Sequence, residues 1–356
     1  MTNKILIGNV AIGAGSPIAI QSMTNTDTRD AKATVNQIFE LRDAGCDIVR
    51  VSIADMESAR VIGEIRRAID IPLVADIHFD HRLALECIRQ GVDKIRINPG
   101  NIGDRARVKQ VADAARERNI PIRIGVNGGS LDRELIKKYG NATAEALVES
   151  AVMQAESLNM CGFYNIVVSI KSSDVFLTVE ACRRFHEKNT GIPQHIGITE
   201  TGTLTSGLVK STIGIYELLR SGIGDTIRVS LTGDPTEEVI AAKTLLRTMG
   251  KASNAARGGV ELISCPTCGR CRIDLIGAAN EIERRIRMIK TDKHIKAAVM
   301  GCSVNGPGEA RGADVGIAGG NGKAVLFKHG VPLYQVPESD LADTLINEII
   351  SIAGGD

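Results

Sequence analysis

The sequence predicts an α/β fold in which a (β/α)8 TIM barrel is followed by a small α+β domain. A chain of 356 residues exceeds what one hydrophobic core usually organises, and it suits a barrel of about 250 residues with a second domain of about 100. Eight short apolar runs alternate strictly with eight segments of helical periodicity. Glycine is frequent, with 37 residues, while aromatic residues make up only 3%, which fits buried parallel strands that alternate with helices.

The predicted strands are short, rich in β-branched residues and punctuated by Gly and Pro. They are Pro17–Met23, Asp47–Val51, Pro72–Ile77, Lys94–Ile97, Pro121–Val126, Asn165–Ile170, Gln194–Ile198 and Thr226–Ser230. The predicted helices are Asp30–Ala44, Met56–Ile69, His81–Gln90, Asp104–Arg118, Thr143–Leu158, Asp174–Glu187, Ser206–Arg220 and Pro235–Met249. Strict alternation implies parallel strands joined by right-handed crossovers, and eight such units can close into a barrel. A doubly wound open sheet is the alternative.

The barrel is expected to end near residue 250, because the following stretch is polar, contains glycine and has no periodicity. We therefore expect a barrel domain over 1–250, a linker over 251–259 and a second domain over 260–356. The second domain should contain four short strands, a charged helix and a terminal helix. These are Val260–Ile263, Ala279–Ile289, Ala297–Met300, Asp314–Ala318, Lys323–Lys328 and a helix from Asp340.

The charge balance argues against nucleic acid as a partner. The chain has 43 basic and 42 acidic residues, a formal net charge of +1, and no basic block. Its start, Met1–Val10, lacks the basic and apolar segments of a signal peptide. No stretch approaches the roughly 18 apolar residues needed to cross a bilayer. The sequence therefore predicts a soluble, cytoplasmic protein that does not bind a membrane.

Eight cysteines in such a chain predict metal ligation or inert burial rather than disulfides, because the cytosol keeps thiols reduced. Four of them are scattered singly through apolar or helical contexts and are expected to be core or helix residues: Cys46, Cys87, Cys161 and Cys182. The other four form a group, with Cys265, Cys268 and Cys271 within seven residues and Cys302 in a Gly-rich loop.

This cysteine group predicts a metal site. A Cys-x-x-Cys turn directs two thiolates at one point, and the glycines around Cys302 let the backbone approach a bulky inorganic centre. A structural zinc ion held by four thiolates and an iron–sulfur cluster held by three both remain open, as do unligated thiols. A ferredoxin run is excluded, because Leu275 stands where its next cysteine would be, and the radical-type Cys-x3-Cys-x2-Cys spacing is absent too.

Chemistry in a barrel of this class takes place at the carboxyl ends of the strands, and here those ends are polar and basic. Five cations come from five different strand ends and should converge on one cavity: Arg50, Arg96, Arg123, Lys171 and Arg228. Guanidinium groups match phosphate oxygens bidentately, so the cavity is predicted to bind a phosphate or diphosphate. Asp76 and Glu200 would partly offset this charge and could bind hydroxyl groups or relay protons.

Two histidines near the strand ends have two interpretations. His78 and His195 could act as general acids, yet a histidine on a strand is more often a hydrogen-bonded structural residue. The sequence favours the structural interpretation for both.

The cysteine motifs closely resemble those of the 4-hydroxy-3-methylbut-2-en-1-yl diphosphate synthase family, in its compact bacterial two-domain form. The resemblance spans nearly the whole chain, and its barrel motifs match as well. The residues that carry it are Ser264–Arg270, Gly301–Glu309, Ala75–Phe79, Arg96–Asn101, Arg123–Asn127 and Arg228–Thr232.

The resemblance implies a [4Fe-4S] cluster held by three thiolates and one carboxylate, Cys265, Cys268, Cys302 and Glu309, with Cys271 as a bystander. A carboxylate is a harder and more easily displaced iron ligand than a thiolate. The extra thiol of Cys271 is a departure to watch, since it could ligate iron in a damaged cluster.

The resemblance also implies reduction of 2-C-methyl-D-erythritol 2,4-cyclodiphosphate, with ring opening and loss of water, in the non-mevalonate pathway of isoprenoid synthesis. Residues assigned to the diphosphate are Arg50, Arg96, Arg123, Lys171, Arg228 and Ser230. Those assigned to the carbon skeleton are Asp76, Asn98, Asn127 and Glu200. Glu200 is the candidate proton donor. Glu309 is assigned a catalytic role as well, because a displaceable carboxylate ligand would leave one iron able to take a substrate oxygen.

In this family the cluster domain covers the barrel of a partner subunit, so a homodimer is expected. The resemblance also implies that ferredoxin or flavodoxin supplies the electrons, and no strand is followed by the Gly-x-Gly-x-x-Gly motif of a nicotinamide site. Two other functions remain open: a phosphate-binding aldolase or pterin-type barrel with a structural zinc ion, and an iron–sulfur sensor without turnover.

Overall fold

A computed structural model describes residues 1–188, 190–252, 258–302, 306–320 and 322–354. It divides the chain into two compact units, Met1–Ala252 and Ser253–Asp356. In the described part, no helix is long and apolar enough to cross a membrane.

The first unit opens with an antiparallel hairpin of β1 (Ile5–Ile7) and β2 (Val10–Ile12). Its buried side chains pack against Ala19, Ile48 and Val74, near the starts of three strands, where they cover the bottom of the barrel. This hairpin is not predicted from the sequence, because three-residue strands are too short to establish a period of two.

The (β/α)8 barrel predicted from the sequence is confirmed. Eight parallel strands follow one another in the order β8-β7-β6-β5-β4-β3-β10-β9, and a parallel bridge from Val168 to Gln194 joins the two ends. The strands are β3 (Ala19–Met23), β4 (Ile48–Ile53), β5 (Leu73–Ile77), β6 (Lys94–Ile97), β7 (Ile122–Asn127), β8 (Ile166–Lys171), β9 (His195–Ile196) and β10 (Thr226–Ile227).

The last two barrel strands are shorter than predicted. Regular pairing stops at Ile196 and Ile227, although the N–H of Arg228 still donates to the carbonyl oxygen of Ile196 at 3.0 Å. At Gly197 the backbone lies so close to Arg228 that an added Cβ would be 2.3 Å from the carbonyl oxygen of that residue. This close approach replaces regular pairing at the strand ends.

Helices surround the barrel, and aspartates begin most of them. The side chains of Asp30, Asp104, Asp174 and Asp234 each accept a hydrogen bond from a backbone N–H in the first helical turn. The helices are α1 (Ala31–Ala44), α2 (Met56–Arg60), α3 (Ile62–Ala68), α4 (His81–Arg89), α5 (Arg105–Glu117), α6 (Arg133–Tyr139), α7 (Ala144–Asn159), α8 (Val175–Glu187), α9 (Leu204–Arg220) and α10 (Pro235–Thr248).

Two helical predictions need correction. The helix predicted over Met56–Ile69 is interrupted at Val61, which separates α2 from α3. The helix α6 was not predicted; it is a single seven-residue element between β7 and α7, too short to show a clear periodicity.

The second unit is the predicted α+β domain. Its sheet has the order β11-β12-β13-β14-β15; the first three strands are parallel and the last two pairings antiparallel. The strands are β11 (Gly259–Ser264), β12 (His294–Met300), β13 (Val315–Gly319), β14 (Lys323–Lys328) and β15 (Val331–Pro337). The helices are α11 (Leu275–Ile286), α12 (Gly306–Glu309) and α13 (Leu341–Gly354).

Two corrections concern this unit. The fifth strand, β15, was missed because six of its seven residues are exposed and it contains two prolines. The helix predicted from Ala279 begins at Leu275, because Asp274 accepts a hydrogen bond from the N–H of Gly277 and so caps an earlier turn.

The expected linker over 251–259 is only partly visible, since 253–257 lie outside the described residues. Its last residue, Gly259, belongs to β11 instead, because it pairs with His294 and its N–H donates to the carbonyl oxygen of Lys293 at 2.9 Å.

Candidate active site

The carboxyl ends of the barrel strands surround an open cavity of about 190 Å³. Eleven residues line it: Arg50, Asp76, His78, Arg96, Arg123, Asn127, Ser169, Lys171, Thr199, Arg228 and Ser230. The five cations predicted from the strand ends are all among them.

Strand register brings the charged side chains to one level. Asp76 on β5 pairs with Arg96 on β6, and Arg96 pairs with Arg123 on β7. Because neighbouring residues in register point to the same side of a sheet, these three side chains all enter the barrel interior.

Asp76 is the carboxylate that organises one side of the cavity. Its Oδ1 accepts a hydrogen bond from Arg96 Nη1 at 3.0 Å, and its Oδ2 lies 3.7 Å from Arg50 Nε. His78 Nε2 lies 3.5 Å from Oδ1 and 2.9 Å from Arg96 Nη1. Burial opposes ionisation of Asp76, but Arg50, His78, Arg96 and Arg123 outweigh it and hold the pKa of this carboxyl well below its usual range.

A second carboxylate, Glu238, holds Arg228 from behind the cavity. Glu238 lies on α10 and is 3% exposed, and its two oxygens accept from Nε and Nη2 of Arg228 at 3.1 and 3.2 Å. One oxygen also accepts from the N–H of Leu231 at 2.9 Å, and the other from Ser22 Oγ at 3.1 Å. This bidentate pair fixes the guanidinium plane of Arg228.

Arg123 has no comparable support. Its side chain is 1% exposed, and within the described residues its Nε has no hydrogen-bond partner. Burial, with Arg50 and Arg96 close by, lowers the pKa of Arg123 well below its ordinary value. A buried guanidinium that is surrounded by other cations and incompletely bonded is a strong indication that an anion completes the site.

Two glycines make room for the cationic side chains. A Cβ on Gly125 would lie 2.3 Å from Arg96 Nε, and a Cβ on Gly197 would lie 2.9 Å from Lys171 Nζ. Both glycines therefore allow a long basic side chain to cross the backbone of a neighbouring strand.

The cavity carries an excess of positive charge. Five cations line it against one lining carboxylate, Asp76. Burial lowers the pKa of Arg50 to about 10, and burial together with Arg123, Arg50 and Arg228 lowers the pKa of Lys171 well below its ordinary value. Both shifts indicate that the surroundings disfavour positive charge on these side chains. Binding of a polyvalent anion in the cavity is therefore strongly favoured electrostatically.

The other four predicted barrel residues fall into two groups. Asn127 and Ser230 line the cavity, whereas Asn98 and Glu200 do not. The Asn98 Oδ1 accepts from the N–H of Gly100 at 3.0 Å in a local turn. Glu200 is exposed in the loop after β9 and has φ of 54°, a left-handed conformation that is uncommon for glutamate.

Sequence reasoning missed three features of the site. Ser169 and Thr199 line the cavity, and Glu238 reaches it from a helix rather than from a strand end. For Ser169 a signal was available, because it lies two positions before Lys171 on β8 and therefore faces the same side. For Glu238 a signal was also available, because it lies four positions before Ala242 and seven before Leu245, on the apolar face of α10.

Asp76→Asn is expected to lower the free energy of unfolding by about 3 kcal/mol, because buried Arg96 and partly buried Arg50 lose their shared counter-charge. The folded pKa of Asp76 is below its ordinary value of 3.8, so its ionised form stabilises the fold above that pH and this contribution is lost on acidification. Chemical denaturation at pH 7 and in acid measures this. The difference in the free energy of unfolding between variant and wild type should be constant near neutral pH and should shrink in acid. Equal free energies of unfolding at pH 7 would contradict the pairing of Asp76 with the two arginines.

The predicted metal ligands lie at neighbouring strand ends in the second unit. Cys265 directly follows β11 and Cys302 lies two residues after β12, and these strands are paired in parallel through Ser264 and Val299. The loops are tied together, since the N–H of Gly301 donates to Cys265 Sγ at 3.2 Å. Parallel pairing thus brings two distant thiols to one edge of the sheet.

The remaining two thiols of the group differ from each other. Cys268 is exposed, and its carbonyl oxygen accepts from the N–H of Cys271 in a tight turn. The Cys271 thiol lies between its own loop and the loop of Cys302: its Sγ is 3.3 Å from the carbonyl oxygen of Ile273, and a Cβ on Gly301 would be 2.7 Å from it. All eight cysteines are free thiols, and the four scattered ones are buried as predicted.

The donor set fits an iron–sulfur cluster. Thiolates are the ligands such clusters require, and a backbone N–H already directed at Cys265 Sγ is the kind of hydrogen bond that tunes them. Glu309 is exposed on α12, a short helix whose first N–H donates to the carbonyl oxygen of Cys302 at 3.3 Å. Residues 303–305 of the predicted motif lie outside the described residues. Among those described, no three His, Cys, Asp or Glu side chains are already gathered as a metal site.

Comparison with known proteins covers both units. The family model for the GcpE TIM-barrel domain matches residues 2–243, and that for the GcpE protein C-terminal domain matches residues 261–351. A protein of Geobacter sulfurreducens is 54% identical over 99% of this chain and 98% of its own length. One of Caldanaerobacter subterraneus is 55% identical over 98% of this chain and 96% of its own. Both are named 4-hydroxy-3-methylbut-2-en-1-yl diphosphate synthase (flavodoxin).

Among solved structures, dihydropteroate synthase of Stenotrophomonas maltophilia aligns with a TM-score of 0.53 at 13% identity. The alignment covers 70% of this chain and 97% of that protein. At this identity the likeness shows a shared fold alone.

Proposed function

The chain belongs to the GcpE family of 4-hydroxy-3-methylbut-2-en-1-yl diphosphate synthases, and from this premise we propose that the barrel cavity is where its substrate binds. The enzyme is an oxidoreductase that converts 2-C-methyl-D-erythritol 2,4-cyclodiphosphate to 4-hydroxy-3-methylbut-2-enyl diphosphate in the non-mevalonate pathway. With substrate and product both written as neutral acids, one substrate molecule takes up two electrons and two protons and gives one product molecule and one water molecule.

The observation that carries the placement is the incompletely bonded guanidinium of Arg123 in a cavity with four further cations. Ring opening converts a cyclic diphosphate, which carries one charge on each phosphate, into a diphosphate monoester with an additional negative charge. A cation cluster therefore stabilises the charge that develops as the carbon–oxygen bond breaks, which is the requirement for electrostatic catalysis.

We propose distinct roles for the cavity residues. Arg50, Arg96, Arg123, Lys171, Arg228 and Ser230 bind the diphosphate, while Asp76 and Asn127 contact the carbon skeleton. Glu200 supplies a proton to the departing hydroxyl group. Its exposure gives it access to protons from solvent. Its left-handed backbone also supports a functional role, because a strained non-glycine conformation often marks a functional position.

We propose that the second unit holds a [4Fe-4S] cluster through Cys265, Cys268, Cys302 and Glu309. When bound, such a cluster supplies electrons one at a time. The protein residues shape its environment: the N–H of Gly301 donates to Cys265 Sγ, and the Cys271 thiol lies against Ile273 and Gly301. Glu309 would add an oxygen ligand where the other three are sulfur.

The proposal extends to the setting of the reaction. Flavodoxin is the proposed electron donor, as the names of the relatives indicate, with ferredoxin as an alternative of the same kind. A homodimer and a cytoplasmic location are also proposed. The alternative function is that of a phosphate-binding lyase or pterin-type barrel with a structural zinc ion. Such a protein would be colourless and would lack sulfide, so the test described next distinguishes it from an iron–sulfur enzyme.

The test is a turnover assay under anaerobic conditions with reduced flavodoxin and the cyclic diphosphate. We expect brown protein that contains iron and sulfide and forms the allylic diphosphate, and we expect millimolar pyrophosphate to compete with the substrate because it occupies the same cations. Turnover without competition would contradict the placement of the diphosphate. A colourless zinc protein would contradict the proposed cofactor.

A further inference from the structure

His195 is a buried residue of the barrel that the reaction scheme leaves without a role. It lies on β9, is 0% exposed and does not line the cavity. Its two ring nitrogens nevertheless have separate partners on the two neighbouring strands. Nδ1 lies 2.7 Å from Thr226 Oγ1 on β10, and Nε2 lies 3.4 Å from Lys171 Nζ at the end of β8.

The partners determine which ring nitrogen carries the proton. In its charged form, which a bound diphosphate favours, Lys171 can only donate hydrogen bonds, so Nε2 then offers its lone pair to the ammonium group. The Nδ1 proton is then donated to the hydroxyl oxygen of Thr226, which pairs with His195 in the strand register. This tautomer is set by the two contacts together, so losing the threonine contact would weaken the lysine contact.

The surroundings keep the imidazole neutral. Burial, followed by the cations Arg123, Lys171, Lys94 and Arg50, lowers the pKa of His195 well below its ordinary value. A neutral ring is the form that can accept from an ammonium group, whereas an imidazolium would repel it.

The lysine head group is also confined on its other side. Nζ lies where a Cβ on Gly197 would be 2.9 Å away, so a glycine and an imidazole together define its position. Lysine side chains are flexible and lose much rotamer freedom when fixed, so a preformed acceptor lowers the entropy that anion binding must offset.

We propose that His195 is a positioning residue: supported by Thr226, its Nε2 holds the Lys171 ammonium group in place for the diphosphate of the substrate. The inference rests on the proposed function, because it takes Lys171 to be a diphosphate ligand. It adds an element that lies beneath the cavity and never touches the substrate.

The test compares variants that retain one contact each. Gln in place of His195 puts an amide where Nε2 was and can still accept from Lys171, whereas Asn reaches only the position of Nδ1. We expect His195→Asn to raise the KM for the cyclic diphosphate about tenfold with kcat changed far less, and His195→Gln to recover most of that loss, as for one hydrogen bond to a charged group.

A double-mutant cycle separates positioning from structural damage. In a Lys171→Met background, His195→Asn should change KM less than about twofold, because the group it acts through is gone. Equal effects in both backgrounds, or His195→Gln as impaired as His195→Asn, would overturn the inference while leaving Lys171 as a ligand. An unchanged KM for Lys171→Met alone would overturn the proposed role of Lys171 and the inference with it.

A second pair of variants applies if the histidine variants fail to fold. Thr226→Val removes the acceptor for Nδ1 and should raise KM severalfold, while Thr226→Ser keeps the hydroxyl group and should not. Thermal unfolding of both reports any loss of stability. Equal KM values for the two variants would overturn the inference.

Discussion

Arg123→Met is expected to lower kcat/KM for the cyclic diphosphate by roughly a thousandfold, since a buried charge pair with the ligand is lost. At the same time we expect the free energy of unfolding to rise by about 1–3 kcal/mol, because a buried charge without a full set of partners is replaced by an apolar side chain of similar length. The two effects have opposite signs because the arginine is present for the anion and not for the fold.

Enzyme kinetics and denaturant unfolding of the same preparation measure this prediction. Arg105→Met is the matched control, since Arg105 is exposed on the surface helix α5, and it should change neither quantity. An Arg123→Met variant that was less stable and still bound substrate normally would show that Arg123 is a structural residue.

Cys268→Ala is expected to abolish turnover and to remove most of the bound iron and sulfide, whereas Cys271→Ser should retain both. The two residues lie three positions apart, yet Cys268 is exposed while the Cys271 thiol contacts Ile273 and Gly301. Removing one of three thiolates from a cluster leaves an iron without a ligand, while serine at 271 can still donate to the carbonyl oxygen of Ile273.

Iron and sulfide analysis of anaerobically purified protein, with the flavodoxin-dependent assay, checks this pair. Glu309→Ala extends it and should give an unstable cluster with little activity. If Cys271→Ser lost the cluster while Glu309→Ala kept it, the proposed ligand set would be wrong.

The sequence was sufficient for the barrel and for most of its cations because both follow from periodicity. Alternating strands and helices predict closure, and a residue such as Lys171 at the end of β8 is then placed at the mouth without further information. Parallel strands also explain why Cys265 and Cys302, which are distant in the chain, come to one sheet edge.

Other features depend on packing that no local pattern encodes. Glu238 reaches Arg228 because α10 crosses near its strand; helical periodicity places Glu238 on the buried face of α10, but no local pattern shows that its carboxylate meets Arg228. Asn98 forms a local turn instead of lining the cavity, because a side-chain amide can bond to its own loop as readily as to a ligand.

The electrostatics of the cavity also connect stability with function. Lys94 lies below the lining residues with 0% exposure, and its Nζ donates to Gln21 Oε1 at 3.3 Å. Burial, with Arg123 and Arg50 nearby, lowers the pKa of this lysine well below its ordinary value. Substrate binding should therefore raise the melting temperature strongly, because the ligand supplies the negative charge that the barrel interior lacks.

The most direct test of the cofactor assignment is a Mössbauer spectrum of anaerobically purified, iron-57-loaded wild-type protein. Three thiolates and Glu309 should give a four-iron cluster in which one iron differs from the other three, although the Cys271 thiol is present. Four equivalent, fully thiolate-bound irons, or a protein that binds no iron, would contradict an oxygen ligand at the reducing centre.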